Sequence, residues 1–195
     1  MTEAQNQAGL AGIIQQIKGQ KHPPVHLWNP EFCGDLDMRI ARDGTWFYLG
    51  SPIGRKPLVK LFSGVIRLDN DKKYYLVTPV EKIGITVDDA PFVAVEMFRE
   101  GEGREQVLSF RTNVDDFVIM DEDHPFRIEI DPETKEPSPY VLVRGNLEAL
   151  IVRSVFYDLV NLAIEEEIDG NQLFGFWSSG QFFELGPMDE IFENR

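Results

Sequence analysis

Moved along itself by 98 positions, Arg55 onto Arg153, the chain falls into register. Ile53-Gly54-Arg55 meets Ile151-Val152-Arg153, Leu58 and Val59 meet Phe156 and Tyr157, and Leu61 meets Leu159. Val65 and Ile66 meet Ala163 and Ile164, the polar turn at Asp71 meets Asp169, and Tyr75 meets Leu173. Each half reads strand, I-x-R, amphipathic helix, polar turn, hairpin. Self-similarity at a fixed offset restricts the architecture to repeated units. The expected fold is α+β: two similar units from an internal duplication, each an antiparallel sheet covered by one helix. The seam is expected near the charged tip REGEGRE at 99–105. The expected divisions are an N-terminal helix at 1–20, a first unit at 21–102, a second at 103–187 and an acidic tail at 188–195.

Local patterns fill in this frame. Leu10, Ile13, Ile14 and Ile17 repeat at helical spacing, predicting a helix over 8–18 that Gly19 stops. Strands are expected at 38–41 and 46–49, split by the tight-turn dipeptide Asp43-Gly44. Pro57 suits a first helical position. Leu58, Leu61, Phe62, Val65, Ile66 and Leu68 then place apolar groups on one helical face. Strands follow at 74–77, 83–87, 92–98, 106–111, 117–120, 126–130 and 140–144. A second helix is read from Phe156, Leu159, Val160, Ala163 and Ile164, with Ser154 as N-cap. A hairpin over 174–177 and 181–185 turns at Ser178-Ser179-Gly180.

Composition bounds the function. With 14 Phe, 3 Trp and 5 Tyr the chain can fill a core without staples. Cys33 is the only cysteine, so no internal disulfide forms, and a reducing, cytoplasmic setting is expected. The net charge of -14 repels phosphate backbones and anionic bilayers, which argues against nucleic-acid polymers and membrane surfaces as partners. Neither a secretory leader nor a transmembrane run of apolar residues is read in the sequence.

The stretch GTWFYLGSPIGRKPLVKLF, 44–62, resembles a strand entering a phosphate loop. The comparison fails on chemistry. Gly50 and Gly54 are one residue too close, Arg55 intervenes before Lys56, and Pro57 replaces the hydroxyl that would hold magnesium. What is left is a strand-to-helix corner with Arg55 and Lys56 at a helix N-terminus. It is either a structural turn or a place where free N–H groups hold one anion. Arg55 and Arg153 occupy the same place in both halves. They either tie each helix start to a carboxylate or converge on an anionic ligand.

Glu81, Asp88 and Asp89 are the carboxylates a hydrolase would recruit, although Asp88-Asp89 before Ala90-Pro91 is also ordinary turn chemistry. No metal set is read. His22 and His26 straddle two prolines, and Asp69-Asn70-Asp71 lacks the glycine and glutamate of a calcium loop. Asp121 to His124 are consecutive. No nucleophile elbow occurs. The expectation is therefore no catalytic constellation, no metal and no cofactor.

The strings GTWFYLGSPIGRKPLVKLF, YYLVTPVEKIGI, V-D-D-APFVAVE, TNVDDFV, HPF and YVLVRGNLEALIVRSVFYDLV resemble the bacterial domain of unknown function 1285 family. The resemblance runs from His26 to Gly186. It implies a duplicated α+β core with a superficially pleckstrin-homology-like C-terminal half. It also implies a ligand site where the halves meet, for a nucleotide-like molecule, and a role in signalling. It brings no agreed catalytic residues. The combined expectation is a binding or regulatory protein for a small anionic ligand. Arg55, Arg153 and Arg144 would supply charge, Lys82 a further cation, Glu81 and Asn113 hydrogen bonds, and His124 a group titrating near neutral pH. The alternatives are a carboxylate- or metal-dependent hydrolase and a scaffold binding protein partners through an exposed aromatic face.

Overall fold

The computed structural model describes residues 22–168 and 170–186. The helix expected at 8–18, the tail at 188–195 and Asp169 lie outside them. The chain forms two compact units, Met1–Pro91 and Phe92–Arg195.

In the first unit the strands are β1 (Phe32–Ile40), β2 (Trp46–Tyr48), β3 (Ser51–Pro52), β4 (Ile66–Leu68), β5 (Tyr74–Val77) and β6 (Lys82–Val87), with helix α1 (Lys56–Ser63) between β3 and β4. They make one six-stranded sheet in the order β3-β2-β1-β6-β5-β4. Along β1, Leu36, Met38 and Ile40 alternate inward, the period-two pattern of a strand with one buried face. Helix α1 brings Phe62 onto Trp46, ring centroids 6.4 Å apart and 21° from parallel. Both rings are buried, as are Val65, Ile66 and Leu76.

In the second unit the strands are β7 (Phe92–Glu100), β8 (Val107–Thr112), β9 (Phe117–Ile119), β10 (Phe126–Ile130), β11 (Pro137–Arg144) and β12 (Leu147–Ile151). Helix α2 (Arg153–Asn161) follows, then β13 (Ile164–Ile168), β14 (Asn171–Ser178) and β15 (Gln181–Glu184). Six strands pair in the order β10-β11-β12-β7-β8-β9, and the last three form a separate sheet, β13-β14-β15. The two sheets are sewn together by buried polar groups. The Ser178 hydroxyl donates to the Met120 carbonyl at 2.7 Å and accepts from the Leu108 N–H at 3.0 Å. Gln106 donates to the Trp177 carbonyl at 2.6 Å. Ser178 and Gln106 are buried, so each of these bonds also avoids the cost of an unmet polar group.

Both units contain a helix followed by a three-stranded antiparallel meander, β4-β5-β6 and β13-β14-β15. Their wiring differs. In the first unit β6 lies parallel to β1 within the main sheet, with Phe32 opposite Lys82 and Ile40 opposite Val87. In the second the meander stands apart, and β12 lies parallel to β7. The two six-stranded sheets are therefore mixed rather than purely antiparallel as expected, and the three-stranded sheet is antiparallel throughout.

Four expectations change. Helix α1 stops at Ser63, and Ile66 and Leu68 belong to β4. Val65 and Ile66 are fully buried, a demand that helix and strand periodicity meet equally well over so few residues. Likewise α2 ends at Asn161 and Ile164 opens β13. The N-cap of α2 is Val152, without a side-chain cap, instead of Ser154. The charged tip at 99–105 is a hairpin corner between β7 and β8, with Gly101 and Gly103 at positive φ. The units divide instead at Pro91 and Phe92.

The β2–β3 hairpin has a two-residue loop, Leu49-Gly50, with φ of 48° and 72°. A loop of this type requires left-handed backbone at both positions and favours Asn-Gly. A non-glycine residue held there costs roughly 1 kcal/mol. Leu49→Asn is expected to raise the urea midpoint by an amount worth about 0.5–1 kcal/mol, with an unchanged denaturant slope.

Candidate functional site

Helix starts place the two repeated arginines. Arg55 is the N-cap of α1, exposed and extended, and it makes no side-chain hydrogen bond or ion pair among the described residues. Arg153 is the first residue of α2, also exposed. Its Nε donates to the Tyr157 hydroxyl at 3.1 Å, one helical turn on. Neither helix has a side-chain N-cap or an acidic residue in its first turn. Cations thus stand at the positive end of each macrodipole, where carboxylates are the favourable choice.

The other proposed ligand groups are engaged in holding the fold. Arg144 ends β11 and donates to Asp116 Oδ2 at 2.7 Å, its guanidinium 4.7 Å over the Phe92 ring. Burial lowers its pKa, and the Asp116 charge and hydrogen bond oppose that shift. Lys82 opens β6. Its ammonium lies 2.7 Å from Asp69 Oδ2 and 4.2 Å over the Tyr75 ring. Asp69 also takes Arg67 Nε at 2.5 Å, and Arg67 reaches the carbonyls of Val25 and Trp28 at 3.0 and 2.6 Å. Burial pushes the Asp69 carboxyl up, but the hydrogen bonds from Arg67 and Lys82 outweigh it and hold the group below the usual range. Asn113 accepts the Val93 N–H at 3.1 Å and its own N–H goes to the Val93 carbonyl, which fixes a loop end to β7. His124 is held by Asp121, whose Oδ1 lies 3.0 Å from Nδ1 and accepts the His124 backbone N–H at 3.0 Å.

Glu81 closes the turn before β6, with its N–H on Thr78 Oγ1 at 3.0 Å and its carbonyl accepting from Thr78 N–H at 2.9 Å. Its Oε2 is buried without a hydrogen bond among the described residues. Asp88 and Asp89 lie just past the other end of β6, about 20 Å away at ~3.3 Å per residue. Asp88 is gripped by Arg39 and Asp89 is paired with Arg42 at 2.8 Å. Glu81 therefore shares no acid–base cleft with the two aspartates, since paired carboxyls work at separations of about 5–10 Å.

Residue spacing did not reveal the partners of these groups. Tyr75 donates to Asp71 Oδ2 at 2.6 Å, and this bond with burial pushes the phenol pKa up to about 12. Arg104 and the Trp177 indole both donate to Glu166, at 2.6 and 3.2 Å. The ends of β9 and of the β14–β15 hairpin form an open groove of ≈ 490 Å³ lined by Asp121, Glu122, Asp123, Ser179, Gly180 and Gln181. Its carboxylates make it the wrong sign for an anion. Among the described residues no three His, Cys, Asp or Glu side chains are grouped to hold a metal ion, and no helix is long and apolar enough to cross a membrane.

The N-terminal domain of the DUF1285 family, a domain of unknown function, matches residues 23–90, and its C-terminal domain matches 91–185. The chain belongs to this family. It is similar to the crystal structure of a DUF1285 family protein from Silicibacter pomeroyi, 54% identical, with a TM-score of 0.85, 93% of this chain and 97% of that one being covered. It is also similar to a DUF1285 family protein from Shewanella baltica, 25% identical, with a TM-score of 0.51 over 65% of this chain and 91% of that one. No curated protein matches. The family boundary at 90–91 falls one residue from the division between the two compact units.

Arg144→Met leaves the Asp116 carboxylate buried without its cation and is expected to cost about 3 kcal/mol in denaturant unfolding, much of it recovered in R144M/D116N. The Tyr75 phenol keeps its proton in the folded state up to about pH 12 against 10.0 ordinarily. The unfolded chain loses that proton first, so this contribution to stability is complete below about pH 10 and is lost as pH rises toward about 12. An absorbance titration of the native protein minus Tyr75→Phe should show the late phenol, and Asp71→Asn should move it back toward 10.

Proposed function

We propose that this protein is a regulatory, non-catalytic binder of a small anionic, nucleotide-like ligand, with Arg55 and Arg153 as candidate charged contacts, each at the helix start of its own unit. The observation that carries this reading is the repeated placement of an arginine at an uncapped helix start with no carboxylate in the first turn. In a chain of net charge -14, such placement forgoes the usual dipole stabilisation of about 0.3–1 kcal/mol per favourable charge. An anion at the free N–H groups would restore it. Arg144, Lys82, Asn113 and His124 serve this reading as the frame, since each is bonded inside its own unit. The internal duplication and the pleckstrin-homology-like character of the second unit are part of the same proposal. The helix-and-meander order shared at an offset of 98 residues supports the duplication.

A second reading, a scaffold for protein partners, is favoured by one observation. Phe98 and Phe117 are exposed on the second unit's sheet with ring centroids 6.0 Å apart.

A thermal-shift screen of nucleotides, inorganic phosphate and phosphorylated metabolites tests the anion reading. Some member of the screen is expected to raise the melting temperature of the native protein by several degrees, and to raise it less in Arg55→Ala or Arg153→Ala. Equal shifts in native and variant proteins, or none, would end the proposal.

A further inference from the structure

Strand β9 is an open edge. Among the described residues it is the last strand of its sheet, with β8 on one side only. Met120 N–H and the Asp116 carbonyl point back to Leu108 and Thr112 beside it. By the two-residue alternation of a strand, the N–H and C=O groups of Phe117 and Ile119 therefore face outward. Their side chains are exposed, 66% and 49%, and Phe98 beside them is 40% exposed. Edges of this kind are usually blunted by lysine, proline or a covering loop. Here the apolar side chains stay uncovered, and the protection sits at the two ends, in the run Asp115-Asp116-Phe117-Val118-Ile119-Met120-Asp121-Glu122-Asp123.

Charge decides which occupant fits. A second copy running antiparallel on β9 with its two-fold at Val118 would set Asp115 against Asp121, like charge against like, which opposes pairing. An anionic bilayer meets the same repulsion. An extended segment with an aliphatic centre and lysine or arginine on its flanks is matched at every level. Its backbone would meet the outward groups of Phe117 and Ile119. Its apolar side chains would cover Phe98, Phe117 and Ile119. Its C- or N-terminal cation would enter the groove at the end of β9, where Glu122 and Asp123 are exposed beside Gln181.

We propose that β9 and the acidic groove at its end form a strand-addition site for a basic-flanked aliphatic peptide segment of a protein partner. The mode is β-augmentation, in which main-chain bonds supply affinity and flanking pockets supply choice. The site uses neither Arg55 nor Arg153, so it does not depend on the anion-binding reading.

The probe is a fluorescent peptide with a valine-isoleucine-valine centre and two lysines at each end, titrated into the full chain. A control peptide carries glutamates in place of the lysines. The lysine peptide is expected to bind with an affinity that weakens as salt rises, and to protect the Phe117 and Ile119 amides from hydrogen exchange. Ile119→Pro, which removes an outward N–H at a position where an edge strand tolerates proline, and E122K/D123K should each weaken binding at least about tenfold, a loss of about 1.4 kcal/mol. Melting temperatures near the native value show that the variants fold. Equal binding of the glutamate peptide, unaltered binding by both variants, or unprotected β9 amides would overturn the proposal. Sedimentation showing a dimer that Ile119→Pro dissolves would overturn it in favour of a second copy, and binding confined to anionic vesicles would do so in favour of a membrane.

Discussion

The parallel return of a strand to the one that began its unit is the constraint on which the rest of each unit depends. A parallel neighbour cannot be reached through a tight turn, so the chain must leave the sheet and come back. In the first unit α1 and the β4–β5 hairpin make that journey, and β6 docks on β1. Lys82 arrives opposite Phe32, and Asp88 and Asp89 arrive beside Arg39 and Arg42. In the second unit β12 returns to β7 before the helix starts, with Ala149 opposite Phe92. Phe92 is then the floor on which Arg144 rests while it pairs with Asp116. The long-range ion pairs follow from the returns.

These pairs matter because the chain is strongly acidic. Self-repulsion of a net charge of -14 opposes compaction. The structure answers by seating cations among carboxylates and over aromatic rings: Arg67 and Lys82 on Asp69, Arg127 on Glu148 and over Tyr140, Arg104 on Glu166 and over Trp177. Exposed pairs of this kind are each worth little, while the half-buried Arg144–Asp116 pair is costly to break. Cations committed in this way have less to offer a ligand. Among the described residues Arg55 stands outside the pattern, and Arg153 is bonded only to a neutral phenol one turn on.

Much of the candidate site was legible as residue identity and little of it as role. Arg55 and Arg153 could be read as equivalent positions because the 98-residue offset sets both at a helix start, and they stand there as the N-cap of α1 and the first residue of α2. Arg144, Lys82, Asn113 and His124 looked equally available. Their partners are Asp116, Asp69, Val93 and Asp121, and only the near neighbour of His124 could be guessed from the order of residues. Glu81 and the two aspartates looked close in sequence, yet β6 separates them by its whole length. The open edge at β9 was readable as an acidic run around an apolar strand. That it lies at the margin of the sheet was not.

By itself the sequence determined the family, the end of β1 from Met38 onward, the glycine-bearing corners and the existence of α1 and α2, because these depend on neighbours within a few residues. The tertiary structure alone decided where each helix yields to a strand, which strands run parallel and which charges are neutralised. Those outcomes turn on contacts between residues tens of positions apart. Burial of Val65 and Ile66 satisfies a helix and a strand alike, and the choice is made by the sheet that receives them.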